Sequence, residues 1–246
     1  MPHRFLSAIL LAAVLTPVVR AQSDSLPDAP EPATVRNLPR NFLHDQKAIW
    51  TSPLHLTEGS AIATLLFVAA AGGVGSEDRH FMQTHFLDKK TNDRANTVST
   101  GLTGLFMVAP VAFYGMGVLH KNKEAESTGI MAAEAIADSV AVNEVVKIVS
   151  RRERPAMDNA KGKFFQPGVN FDSAFASNHA VIAWSSAAVI ASEYNGPMTK
   201  ILVYTAAAGV SASRVVGRDH FPSDVLVGSA VGWAIGRYVH HRHHRE

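Results

Sequence analysis

The feature that most constrains this chain is a succession of mostly uncharged runs, rich in Ala, Val, Leu and Ile and separated by polar breaks, that fills most of the sequence beyond residue 56. Small residues with little period-two alternation argue for helices over strands. Six helical segments are predicted, at about 57–75, 96–119, 128–150, 177–193, 198–213 and 222–239. Gly72, Gly73, Gly101, Gly104, Gly115 and Gly117 suggest that the helices pack closely. No period of 20 to 50 residues points to a solenoid. The expected fold class is all-α, with one helical domain over residues 54–239.

The flanks read differently. Arg4, the apolar stretch Phe5 to Val19, and Val19-Arg20-Ala21 before Gln22 have the layout of a signal peptide over residues 1–21. Residues 22–53 carry Pro27, Pro30, Pro32, Pro39 and Pro53 among polar residues and read as a flexible lead-in, with Phe42 to Trp50 as a short docking helix within it. Residues 240–246 form a basic, His-rich tail, whose default reading is a solvated end, with adventitious transition-metal binding or, when protonated, contact with anionic headgroups as the alternatives. A net charge of +2, with no basic stripe interleaved with aromatics, excludes a nucleic-acid partner. The chain has no cysteine, so no disulfide or thiolate metal site can form.

Chemistry concentrates in three stretches: Lys147 to Pro155, Ala176 to His179, and Ser213 to Asp224. Together they supply the cations, nucleophile, proton donor and orienting acid that phosphoryl transfer through a histidine needs, and that set requires no metal. His220 and Asp224 lie four residues apart around Pro222, which suits the first position of a helix. A carboxylate there can hold one ring nitrogen of His220 and leave the other free to attack. Ser177 reads as the N-cap of the following helix, whose first N–H groups suit an anion, and His179 can protonate a leaving oxygen. Lys147, Arg154 and Arg214 supply positive charge. Each residue also has a plainer reading. The basic cluster around Arg151, Arg152 and Arg154 can be a solvated helix end, Ser177 only a cap, and Asp224 only a first-turn charge.

These stretches resemble the three signature motifs of the type 2 phosphatidic acid phosphatase and vanadium haloperoxidase superfamily. The first is met by Lys147, Arg154 and Pro155, and the third by Ser213, Arg214, His220 and Asp224. The middle one is half met: Ser177 and His179 match, but Ala176 and Asn178 replace Pro and Gly. The resemblance implies a six-helix core bundle of the acid phosphatase/haloperoxidase type. It also implies catalytic His220, His179 and Asp224, and phosphate binding by Lys147, Arg154, Ser177, Asn178 and Arg214, with no cofactor. The Asn178 side chain is expected to crowd the phosphate and alter efficiency without abolishing activity.

The expected function is therefore metal-independent hydrolysis of a phosphomonoester or diphosphate through a phosphohistidine. The substrate would be a lipid phosphate, a prenyl diphosphate or a small soluble phosphomonoester. The alternatives are a vanadate-dependent haloperoxidase and a non-catalytic envelope protein that binds phosphate or lipid headgroups. Val98 to Leu119 is uncharged for 22 residues and long enough to cross a bilayer. Helix parity after an exported N-terminus would, however, put Lys147 and Arg154 on the cytoplasmic side, whereas the resemblance implies an outward-facing site. A periplasmic bundle, free or seated on a membrane surface, is the expectation, and insertion in the inner membrane the alternative.

Overall fold

The computed structural model describes residues 33–55, 57–85 and 87–244, so the signal-peptide reading of residues 1–21 lies outside the described residues. Among those described there are seven α-helices and no strands. They are α1 (Leu38–Thr51), α2 (Glu58–Thr84), α3 (Lys89–His120), α4 (Lys123–Ser150), α5 (Asn178–Glu193), α6 (Pro197–Val216) and α7 (Pro222–His243). All six segments expected from the uncharged runs are helical, and the class is all-α. Their starts carry local signals: Asp88, Asn122 and Ser177 accept hydrogen bonds from Thr91, Ala125 and Ala180 amides, while Pro197 and Pro222 open α6 and α7.

Three expectations need correction. The lead-in does not extend to residue 53, because α1 packs on α4 and α7 with Asn41, Asp45 and Ile49 buried. Asn41 Nδ2 donates to Glu134 (3.1 Å) and Gln46 Nε2 to Asp138 (2.8 Å), while Arg242 of α7 reaches Asp45. Those buried carboxylates of α4 explain how an apolar helix tolerates acidic residues: they bond inside the bundle. The tail does not begin at 240 either, since α7 runs to His243 with Arg242 buried. Finally, the glycines that bring helices together are mostly others than those named. A Cβ at Gly72, Gly73, Gly101, Gly104 or Gly115 would meet open space, and of that set only Gly117 is crowded, against the Glu126 backbone. Close approach of α5 and α7 rests instead on Gly228, Gly232 and Gly236, where a Cβ would lie 2.8, 2.4 and 2.4 Å from the carbonyl oxygens of Ser177, Val181 and Ser185.

The helix order sets the functional end. Helices α4 and α6 finish where α5 and α7 begin, so residues 147–154, 177–179 and 214–224 gather at one end of the bundle. α2 extends nine residues past its expected end and delivers Asp78, which is 1% exposed, to the same place.

The outside of the bundle is unlike that of a water-soluble one. α2 and α3 are long and apolar enough to cross a membrane. Leu65, Leu66, Leu105, Val108 and Val111 on them are each at least 61% exposed, and Leu119 is 80% exposed. Ile201 and Leu202 of α6 continue the apolar exterior. Soluble monomers rarely leave contiguous apolar surface of that extent uncovered. That surface is consistent with a membrane protein and favours the membrane alternative over a free bundle.

Candidate active site

At the gathered end, Lys147 sits in the last turn of α4, four residues before the left-handed cap Arg151 turns the chain out of the helix. Its buried ammonium donates to the Ser173 carbonyl oxygen. Burial first, and then the nearby Arg154, lowers its pKa to about 8. Arg154 projects from the following loop and forks onto Asp172, with Nη2 to Oδ1 at 2.7 Å and Nε to the same oxygen at 3.0 Å. Arg214, near the end of α6, pairs with Asp219 through Nη2 at 2.8 Å, and its buried Nε has no partner. An unpaired guanidinium N–H inside a cluster of cations suits an anionic oxygen.

His220 is 2% exposed, in the turn between α6 and α7. Its Nδ1 donates to the Ala174 carbonyl oxygen at 2.7 Å. That bond defines the tautomer and leaves Nε2 with a lone pair. Burial, then Arg214, Arg154 and Lys147, hold its pKa well below the usual imidazole value, so the ring is neutral at pH 7. The same causes in the same order lower His179 to about 4. Both imidazoles thus feel the same three cations, which places the five expected side chains together.

Asp224 departs from its expected contact. Its Oδ2 is 3.9 Å from His220 Nδ1, too long for a hydrogen bond, and accepts instead from the Phe221 amide at 2.7 Å. Its Oδ1 receives Arg152 Nη1 at 2.6 Å. The backbone carbonyl of Ala174 does the orienting that was assigned to the carboxylate, and Asp224 fixes the turn that carries the histidine.

Arg152 is the residue that sequence reasoning misread. It is 4% exposed, not a solvated helix end. Its Nη1 also donates to Ser223 Oγ (2.8 Å), its Nη2 to Asp78 (2.8 Å) and its Nε to the Gly162 carbonyl (3.3 Å). The guanidinium lies 4.1 Å from the Phe221 ring centroid and 4.7 Å from that of Phe164. Asp78 completes the network by accepting from the Ser223 amide at 3.0 Å, a carboxylate at the N-terminus of α7. Nothing in the spacing of the motifs points to Asp78, which lies about 70 residues before the first of them. Asp172 and Asp219 were also missed, although Asp219 adjoins His220.

Ser177 is buried and caps α5 through a 3.5 Å contact to the Ala180 amide. Asn178 does not hang loose over the cations. Its Nδ2 donates to Glu144 at 2.6 Å, and its Oδ1 accepts from Asn143 at 2.5 Å, both on α4. The side chain is fastened to the bundle, which removes the reason to expect crowding of a bound phosphate. No residue of this cluster forms a metal-ligand group; among the described residues such groups lie elsewhere, at Glu193, His240 and His244 and at Asp45, Glu134 and Asp138.

Comparison with known proteins agrees with the motif reading. Residues 128–246 match the PAP2 superfamily, a span that includes every motif residue above. That span of the chain is similar to the PAP2 superfamily. A solved structure, that of the first transmembrane PAP2 type phosphatidylglycerolphosphate phosphatase from Bacillus subtilis, is similar at 19% identity and a TM-score of 0.48, over 83% of this chain and 92% of that one. No curated protein matches the chain. Asp78 lies outside the matched span, so that span takes one of its buried ionic partners from the residues that precede it.

Proposed function

We propose that this protein is a membrane-embedded phosphatase that hydrolyses a lipid phosphate or prenyl diphosphate through a phosphohistidine at His220. The observation that carries the reading is the state of that ring: Nδ1 is committed to Ala174, and Nε2 is unprotonated beside three cations. A neutral imidazole is a nucleophile only if its free nitrogen meets an electrophile whose charge is stabilised, and a phosphoryl group satisfies both conditions. The spanning segments in this reading are α2 and α3, and their apolar exteriors favour a substrate held in the bilayer over a soluble phosphomonoester.

In the first step, the His220 Nε2 lone pair forms the N–P bond as the bond between phosphorus and the leaving oxygen breaks. His179 donates a proton to that oxygen. Without substrate His179 is neutral at pH 7, because burial, and then the three cations, depress its pKa; the negative charge of a bound phosphate offsets the cations and lets the ring hold the proton it must give. In the second step, water loses a proton to the now neutral His179 and attacks phosphorus. The N–P bond breaks and inorganic phosphate leaves. Lys147, Arg154, the free Arg214 Nε and the first amides of α5 hold the equatorial oxygens. Asp172 and Asp219 occupy Arg154 and Arg214 in the absence of substrate and must yield to it.

The test is phosphate release by the detergent-purified protein from phosphatidate, prenyl diphosphate and a soluble phosphomonoester, all with EDTA present. Lipid turnover that resists chelation, disappears in His220→Ala and leaves an acid-labile phosphoenzyme supports the proposal. Turnover that persists in His220→Ala refutes the mechanism. Halide oxidation appearing only with added vanadate would assign the haloperoxidase reading instead, and anion binding with no turnover would assign the non-catalytic one.

A further inference from the structure

At the end of the bundle away from His220, three side chains that the phosphatase reading does not use converge. His240, in the last turn of α7, and His244, its C-cap, are four residues apart, with ring centroids 4.2 Å apart and stacked at 18°. Glu193, the last residue of α5, faces both. Its Oε2 lies 3.0 Å from His240 Nε2 and 3.2 Å from His244 Nε2. Glu193 and His240 side chains are 9% and 18% exposed, while His244 is 46% exposed. The cluster is thus backed by protein on one side and open to water on the other.

The contacts of His244 call for a second proton or a metal ion between the ring and Glu193. Its Nδ1 contacts the His240 carbonyl oxygen at 2.9 Å, and a carbonyl can only accept, so Nδ1 carries the hydrogen. In the neutral ring Nε2 is then a lone pair, and it faces a carboxylate oxygen that is also an acceptor. Two acceptors at 3.2 Å repel unless a second proton or a metal ion lies between them. A metal-bound histidine has this pattern: one nitrogen on the ion and the other N–H on a backbone carbonyl. Paired histidines at i and i+4 on one helix face, with a carboxylate from a neighbouring helix, are a ligand set that suits zinc. Glu124 of α4 lies near enough to act electrostatically on Glu193 and adds negative charge, while Arg237 is tied to Ser192.

We propose that Glu193, His240 and His244 bind a Zn²⁺ ion that clasps the far ends of α5 and α7, with its fourth position open to water. Two imidazoles and a carboxylate select a borderline divalent transition ion over Mg²⁺ or Ca²⁺, which demand oxygen ligands. The clasp lies about 24 Å along α5 from the catalytic end, at about 1.5 Å per residue over its 16 residues. The ion therefore takes no part in phosphoryl transfer. It locks together the two helices whose opposite ends present His179 and His220.

The experiment is a Zn²⁺ titration by calorimetry of the full chain, purified in detergent through a tag free of histidine, with thermal unfolding followed in parallel. One Zn²⁺ per chain is expected, with a rise in unfolding temperature. Affinity should weaken by about tenfold or more in His240→Ala, His244→Ala and Glu193→Gln, and stay unchanged in His241→Ala. Because a variant may lose its fold, Co²⁺ is added to the unaltered protein as a second measurement. Intense visible absorption from a four-coordinate site supports the clasp. Weak six-coordinate absorption, absence of Zn²⁺ binding, or affinity that survives the double change His240→Ala/His244→Ala overturns it.

Discussion

Replacing Arg152 by Met tests the buried network most severely. The change keeps an apolar group between Phe164 and Phe221 but removes every hydrogen bond from the guanidinium to Asp78, Asp224, Ser223 and Gly162. Asp78 and Asp224, 1% and 0% exposed, are then left facing one another without their cation. Breaking a buried pair from one side costs about 3–5 kcal/mol. Part of that cost can be relieved if one carboxylate takes up a proton. Burial already raises the Asp224 pKa against the pull of Arg152, so losing the arginine raises it further. Each additional unit is worth about 1.4 kcal/mol. A carboxylate whose folded pKa exceeds its unfolded one stabilises the fold below the unfolded value, and that stability is lost as pH rises through the folded value. The variant should therefore lie closest to the unaltered protein in acid and furthest from it at pH 8. Urea unfolding of both proteins in micelles at pH 5 and pH 8 measures the gap. A gap under about 1 kcal/mol at pH 8, or one that does not shrink toward acid, would show that Arg152 does not hold the two carboxylates. The same variant should lose kcat more than KM, because the turn it anchors carries His220 and not the phosphate-binding cations.

Further outcomes follow from the same site. His179, at about 4, and His220, well below its usual value, are depressed relative to an unfolded imidazole near 6.5, so their contribution to stability is present above that pH and lost as pH falls toward 4; a thermal-unfolding series should show this slope, and His179→Gln should flatten it. Asp219→Asn frees Arg214 and Arg154 from their shared carboxylate, so inhibition by inorganic phosphate should tighten by about tenfold, an effect of about 1.4 kcal/mol, and unchanged inhibition would remove Asp219 as a competitor for the anion. Asn178→Gly should leave the rate within about twofold, since the amide is tied to Glu144 and Asn143; a large increase would restore the idea that this side chain crowds the phosphate. The chain lacks cysteine, so Lys161→Cys at the catalytic end and Asn195→Cys at the other can be labelled singly in intact cells, and equal labelling of both from one side would argue against helices that cross the membrane.

What was legible in the sequence divides along physical lines. The uncharged runs identified all six core helices, because helix interiors in this bundle need little beyond apolar bulk and the absence of β-alternation. Their ends were harder to read. α2 runs on through Gly75-Ser76-Glu77-Asp78, a composition that reads as a break, because Asp78 is stabilised by a partner 74 residues away. α1 was read in part, as the short helix Phe42 to Trp50, but its burial was not, because the prolines around it look like a linker and the buried pairs that hold it come from α4 and α7. At the site, Lys147, Arg154, His179, Arg214 and His220 could be singled out together because each belongs to a short stretch with its own local spacing. The contact of Asp224 was mistaken because four residues of separation permits a bond to His220 without requiring one. The Phe221 amide and Arg152 offered the carboxylate better geometry.

The three glycines of α7 bear on how this protein can change over time. They let one helix rest directly on the carbonyls of another, and the two helices in contact are the ones that start beside His179 and His220, the general acid and nucleophile of the proposed reaction. The gap between those histidines is thus gauged by main chain pressed on main chain, with no adjustable side chain between them. Mutational drift can freely restyle the greasy exterior, but one methyl group added along that seam would act as a wedge and part the reacting groups.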